Sequence, residues 1–250
     1  MEKVTRRLFV TSVSAATMVP ATALLSPTVH AAPPQAPAKY SQPTQPGKTS
    51  YLFFDSEEAL FIEAGCDRLI PADESGPGAL GAGVPNYLDK QLGGAWGAGE
   101  RLYRSGPWQS GTPSQGYQFP LSPAELFHTS LRAIGHDLGR GVPFHKMTGE
   151  AQDAYLKSLE SGAHDLDGVP SSVFFDMLLK KMTVEGFFSD PVYGGNRDMV
   201  AWRMIGFPGA YADYFEAIDR HGVKFEREPM SLAEDSHGLV HMRQDIPAKL

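Results

Sequence analysis

Gly76-Pro77-Gly78-Ala79-Leu80-Gly81 spells G-x-G-x-x-G, the spacing with which a strand-to-helix turn cradles a dinucleotide pyrophosphate. That chemistry needs a buried strand before the first glycine and a helix starting inside the motif. Pro71 to Ser75 precede it and read as a loop, and Gly83 and Pro85 follow too closely for a crossover helix. The residues favour a glycine-rich connector over a flavin or nicotinamide site. His237 and His241 stand four apart, the spacing that puts two imidazoles on one helical face for a metal, but Gly238 lies between them. His128, His136 and His145 are more widely spaced and lack a Glu-x-x-His or cysteine partner. No G-x-S-x-G occurs. The single cysteine, Cys66, falls on an apolar helix face and reads as a small core residue. Asp73 and Glu74 are adjacent in a loop, where carboxylates point apart and stay solvated. These patterns exclude several reactions more firmly than they support any.

The elements that must carry these residues are helices. Asp55 with Glu58 makes a capping box, and Ala59, Ile62, Cys66, Leu69 and Ile70 follow at helical spacing until Pro71. Residues 72–83 read as a loop and Val84 to Leu92 as a short helix. Residues 93–121, rich in Gly, Pro, Ser and Gln, read as a long irregular surface segment. Ser122-Pro123 with Glu125 is a second start signal, followed by an apolar face of Phe127, Leu131, Ile134 and Leu138. Thr148 caps a further helix with Ala151, Tyr155 and Leu159 inward. Pro170 to Phe188 is the longest apolar helix, with Phe174, Phe175, Leu178, Leu179 and Met182 on one side. Tyr211, Tyr214, Phe215 and Ile218 suggest another. No alternating strand pattern exceeds a few residues. The fold class expected is mainly α: a single irregular helical domain with long Gly/Pro-rich loops.

Asp190-Pro191-Val192-Tyr193-Gly194-Gly195-Asn196 is the sharpest segment. Gly186 loosens the end of the long helix, Pro191 and the glycine pair make a tight turn, and Asn196 can cap a helix from Arg197 to Ile205. Tyr193, Trp202 and Phe207 are then large rings beside that turn. They fit a hydrophobic corner between two helices, or an exposed aromatic dock for a partner; both can hold.

The first 31 residues carry a different signal. Arg6-Arg7-Leu8-Phe9 precedes a mildly apolar stretch to Leu25, and Val29-His30-Ala31 offers compact side chains for cleavage after Ala31. This is the layout of a twin-arginine export signal, which passes folded proteins. A membrane anchor wants roughly 20 strongly apolar residues, and Thr11, Ser12, Ser14, Thr17, Pro20 and Thr22 interrupt this stretch. An ordinary secretory signal does not need the arginine pair. The only cysteine, Cys66, is far from the cleavage region, which excludes a lipoprotein. Residues 32–50 read as a disordered Pro-rich linker, 51–222 as the helical domain, and 223–250 as a charged tail that is either disordered or an arm ordered by a partner.

Composition bounds the rest. The formal net charge of −7 becomes −9 when residues 1–31, with one acid and three bases, are removed. An acidic chain lacks the basic face nucleic acid requires. One cysteine allows no internal disulfide and no protein-bound iron–sulfur cluster, and no Cys-x-x-Cys-His is present for covalent haem.

Several pieces together resemble the gluconate 2-dehydrogenase subunit 3 family, the small (gamma) subunit of membrane-associated FAD-dependent sugar and polyol dehydrogenases. They are Asp67-Arg68-Leu69-Ile70-Pro71-Ala72-Asp73, Gly76-Pro77-Gly78-Ala79, Ala82-Gly83-Val84, and Tyr103 with Gly106-Pro107. Thr183-Val184-Glu185-Gly186, the segment 190–196, and Trp202 with Gly206-Phe207-Pro208-Gly209 complete the set. The resemblance covers residues 55–216. It implies a non-catalytic subunit that carries no cofactor and supports folding, stability and twin-arginine export of a flavin-bearing large subunit. FAD then sits on that large subunit, and haem c on a cytochrome subunit that often passes electrons to quinone. The expected location is the periplasm, at the outer face of the inner membrane through partner subunits. The substrate pocket lies on another chain, and the family brings no catalytic residues to carry over. The competing class is a free-standing periplasmic enzyme or metal-binding protein using the histidines and loop carboxylates.

Overall fold

The computed structural model describes residues 50–100, 102–109, 111–112, 115–139, 141–210, 218–219, 221–222 and 227–232. The chain divides between Lys39 and Tyr40 into two units, and every described residue lies in the second. The signal residues Arg6, Arg7 and Ala31, the linker up to residue 49, most of the helix expected around Tyr211 to Phe215, and His237 and His241 lie outside the described residues.

Local chemistry starts the helices where the sequence predicts. Helix α1 (Ser56–Leu69) begins at Asp55, whose carboxylate accepts from the Glu57 and Glu58 amides while the Glu58 side chain accepts from the Asp55 amide. Pro71 follows its end. The predicted loop 72–83 instead contains one helical turn, α2 (Gly78–Gly81), capped by Pro77, which has little intrinsic propensity and forms by packing on α1. Helix α3 (Val84–Leu92) has the expected bounds. Between it and α4, the described residues carry turns and loops. Helix α4 (Pro123–Leu138) opens on a second reciprocal box, Ser122 with Glu125. The Ser122 amide donates to Glu125 and holds its carboxyl below the usual carboxylate range. A 3₁₀ turn, Phe144–Lys146, leads to α5 (Gly149–Glu160), which Thr148 caps through the Ala151 amide.

A short hairpin then pairs β1 (Asp165–Leu166) with β2 (Val169–Pro170) antiparallel, Leu166 opposite Val169. Its turn residues Asp167 and Gly168 both have positive φ, 53° and 85°, as a two-residue hairpin turn requires. The expected long helix starts just after the hairpin rather than at Pro170. It is π-type over Val173–Lys180 and continues as α6 (Lys181–Phe188). Its face of Phe174, Phe175, Leu178, Leu179 and Met182 is buried as the spacing predicts.

The core lies between α1 and this helix, with α3, α4 and α5 packed around them. Phe127 and Phe174 meet edge to face at 5.4 Å between centroids. Cys66 is fully buried, its thiol 3.5 Å from the Thr183 hydroxyl, and burial pushes it up to about 12. No helix of the described residues is long and apolar enough to cross a membrane.

Candidate functional site

The segment singled out by sequence forms a corner where α6 turns back past α3. Gly186 does not loosen α6, which runs on to Phe188. It lies instead against Tyr87 of α3, where a Cβ would come within 2.7 Å of the ring. Burial raises the Tyr87 phenol above its ordinary range. After Ser189, the Asp190 carboxylate caps a 3₁₀ turn, Pro191–Tyr193, through the Val192 amide at 2.9 Å. Asn86 on α3 donates to the Gly194 carbonyl at 2.9 Å, and the Arg197 amide donates to the Ala82 carbonyl at 2.9 Å. The chain is thus stitched to α2 and α3 on both sides of Gly195. A Cβ at Gly195 would overlap the Gly186 carbonyl oxygen, so this close approach requires glycine.

Asn196 is the hub of the corner. It is fully buried with φ 44°, its amide donates to the Ser189 carbonyl at 2.9 Å, and its Oδ1 accepts from the Ala201 amide at 2.9 Å. The expected continuous helix from Arg197 to Ile205 is broken. Arg197–Met199 is a 3₁₀ turn, Asp198 and Met199 have positive φ, and helix α7 begins only at Val200 and ends at Ile205. Asn196 still satisfies an amide in the first turn of that helix, across the break.

The three rings separate into two environments. Trp202 is only 6% exposed and its indole donates to the Phe188 carbonyl at 2.8 Å, so it belongs to the corner's interior. Phe207 stacks edge to face on it at 5.2 Å yet is 44% exposed, and Tyr193 is 50% exposed. The chain returns from beyond residue 222 to close this region. Met230 pairs with Gly209, its amide donates to the Pro208 carbonyl, and its carbonyl accepts from the Ala210 amide. Asp190 then accepts from the Ser231 hydroxyl at 2.6 Å and the Leu232 amide at 2.8 Å. This strap comes from the segment read as a charged tail.

The remaining sequence candidates have local partners. At the glycine motif no strand precedes Gly76, which pairs with Asp73 in a tight turn. Gly78 has φ 66°, and a Cβ there would come within 2.5 Å of the Ala72 nitrogen and 2.6 Å of the Pro71 carbonyl carbon. Its glycine is required by the chain's own backbone at the end of α1. Asp73 accepts from the Ser75 amide at the surface. His128 bonds Glu58 at 2.7 Å and stacks on Phe53. Among the described residues, no group of three or more His, Cys, Asp or Glu side chains is placed to hold a metal.

One constellation escaped the sequence reading. Ser158 Oγ lies 2.8 Å from His164 Nε2, and His164 Nδ1 lies 3.6 Å from Asp137 Oδ2, the residue types of a hydrolytic triad. Ser158 also donates to the Tyr155 carbonyl at 2.7 Å within its own helix. The trio fastens α4, α5 and the start of the hairpin to one another.

The model of the family described as gluconate 2-dehydrogenase subunit 3 matches residues 56–209, from the first residue of α1 to the glycine that pairs with the strap. No curated protein and no solved structure matches the chain.

Proposed function

The chain belongs to the gluconate 2-dehydrogenase subunit 3 family, and from that premise we propose that it is the non-catalytic small subunit of an FAD-dependent dehydrogenase complex. The family is one subunit of a multi-subunit dehydrogenase, so other subunits are its partners. In this reading the chain binds and stabilises the flavin-bearing large subunit and leads it through the twin-arginine machinery to the periplasm. The complex then sits at the outer face of the inner membrane through its other subunits, with haem c on a cytochrome subunit. Tyr193 and Phe207 meet the large subunit, and Trp202, packed against Phe207, holds that ring in place.

The observation that carries the reading is the extent of the family match, which takes in the core helices and the corner together. Two features of the chain support it. Gly78 and Gly81 of the G-x-G-x-x-G segment serve the chain's own close approaches, and the Ser158 hydroxyl donates to a backbone carbonyl of its own helix.

Co-expression with the large subunit tests it. Arg6→Lys/Arg7→Lys keeps the charge and loses the guanidinium geometry. The expected outcome is retention of both chains in the cytoplasm, with flavin absorbance only in the co-purified complex. Normal export of the variant would overturn the export role. Turnover or bound metal in the lone wild-type chain would overturn the non-catalytic role and favour a free-standing enzyme or metal-binding protein.

A further inference from the structure

A groove lies away from the aromatic corner, between the N-terminal half of α1, α4 from His128 onward and the 3₁₀ turn at Phe144–Lys146. Its volume is about 950 Å³, at the upper end of the range for ligand-sized sites. Phe61, Ile134 and Phe144 form an apolar floor. Arg132, His136, His145 and Lys146 line it, and their side chains make no hydrogen bond or ion pair to another described residue. Elsewhere Arg68, Arg104 and Lys180 each have a carboxylate partner.

The acids of the same groove are in the opposite condition. Asp55 accepts the Glu57 and Glu58 amides. Glu58 places one oxygen on the Asp55 amide and the other on His128. Of the three acids lining the groove, Glu57 alone has a carboxylate with no partner in the described residues. The two fixed cations of the groove, Arg132 and Lys146, thus stand unpaired beside its apolar floor, while its carboxylates Asp55, Glu57 and Glu58 belong to the α1 side. An occupant that brings carboxylates gains charge-assisted contacts without displacing an existing pair.

We propose that this groove is a second docking site, and that its occupant is an acidic polypeptide segment of a partner subunit with apolar side chains between its carboxylates. Arg132 and His136 are four residues apart on α4, about 6 Å along the axis. That step matches carboxylates four apart on a helix or two apart on a strand. The apolar side chains of the segment cover Phe61 and Phe144, and its carboxylates face Arg132 and Lys146. The site rests on the reading of the chain as a subunit of a complex and adds to it the chemistry of the contact.

The test uses the chain with its large subunit. Arg132→Glu/Lys146→Glu reverses two exposed charges that hold nothing in the chain, so the melt of the lone subunit stays put. Affinity for the large subunit is expected to fall about tenfold at low salt, with the difference shrinking to about twofold at high salt. Zero-length carbodiimide coupling of the wild-type complex is expected to join Lys146 to an Asp or Glu of the large subunit. Unchanged affinity with no such cross-link overturns the groove while leaving the complex intact. If the wild-type chain does not bind the large subunit at all, the complex reading fails and takes the groove with it. Binding of phosphatidylglycerol vesicles through Arg132 and Lys146, with subunit affinity unaffected by the variant, would assign the groove to a lipid surface and overturn the polypeptide.

Discussion

The aromatic corner and the charged groove treat their polar groups in opposite ways. In the corner, Asn196 uses both ends of its amide, Asp190 accepts three protons, and the Trp202 indole is bonded to Phe188. The geometry is over-determined, with four left-handed residues among Gly194, Asn196, Asp198 and Met199. In the groove, an arginine, a lysine and two histidines hold nothing in the chain. The first region builds shape, and Tyr193 and Phe207 project from it. The second leaves side chains at its lining that take no part in the shape. Substitutions should therefore cost stability in one region and association in the other.

The largest effect belongs to Trp202→Ala. It empties a buried ring site and orphans the Phe188 carbonyl, and should cost the lone subunit about 3–5 kcal/mol in urea unfolding. An unchanged midpoint would mean that the ring is not part of the corner's interior. Asn196→Ala comes next, at about 2–3 kcal/mol, because it leaves the Ser189 carbonyl and Ala201 amide without their partner. Asn196→Gly accepts the positive φ yet lacks the amide, so an equal loss identifies the side chain as the cause; recovery by glycine would identify backbone strain instead. Asp190→Ala should cost about 1.5–3 kcal/mol and speed protease cleavage near the exposed His221-Gly222 turn, since the strap loses two anchors. Cleavage at the wild-type rate would detach the strap from the corner's stability. At the small end, Arg132→Ala should stay within about 0.5 kcal/mol in the lone subunit. A larger loss would erase the contrast between the regions.

Cys66 provides a pH measurement that touches neither region. Its ordinary thiol value is 9.0 and burial raises it to about 12 in the folded chain. The folded state therefore binds the proton more tightly, and the stability this contributes is fully present below 9 and lost as pH climbs toward 12. Cys66→Ala should flatten that alkaline decline in part, because burial also raises the Tyr155 phenol. An alkaline slope identical to the wild type would mean that the thiol is accessible when folded.

Legibility in the sequence followed the range of the interaction. Asp55 with Glu58, Ser122 with Glu125, and Thr148 could be read because caps are closed within three residues. The face of Phe174 to Met182 could be read from spacing, although the π geometry under it could not. The hairpin had a signal, Asp167-Gly168, that the absence of alternating flanks concealed, since each strand has only two residues. The turn at Gly78–Gly81 was missed because packing on α1 makes it. The break at Asp198 and Met199 defeated a helix that propensity alone favoured. The groove draws on residues 55–61, 128–139 and 143–146, and the Ser158–His164–Asp137 fastening on three elements. No local pattern announces either. Among the three rings, sequence found the cluster and structure divided it into one interior ring and two exposed ones.

The grip of Asp190 on Ser231 and Leu232 spans 41 and 42 residues, against three for the capping boxes. Helix starts of this kind can form as soon as their own turns exist, whereas the strap must wait for a long loop to close, a step whose entropic cost grows with loop length. The corner is thus finished by a contact that brings residues 190 and 232 together, a later event than the closing of any helix cap. An assembly that recognises Phe207 in its finished setting would in effect be proofreading the fold of its own subunit.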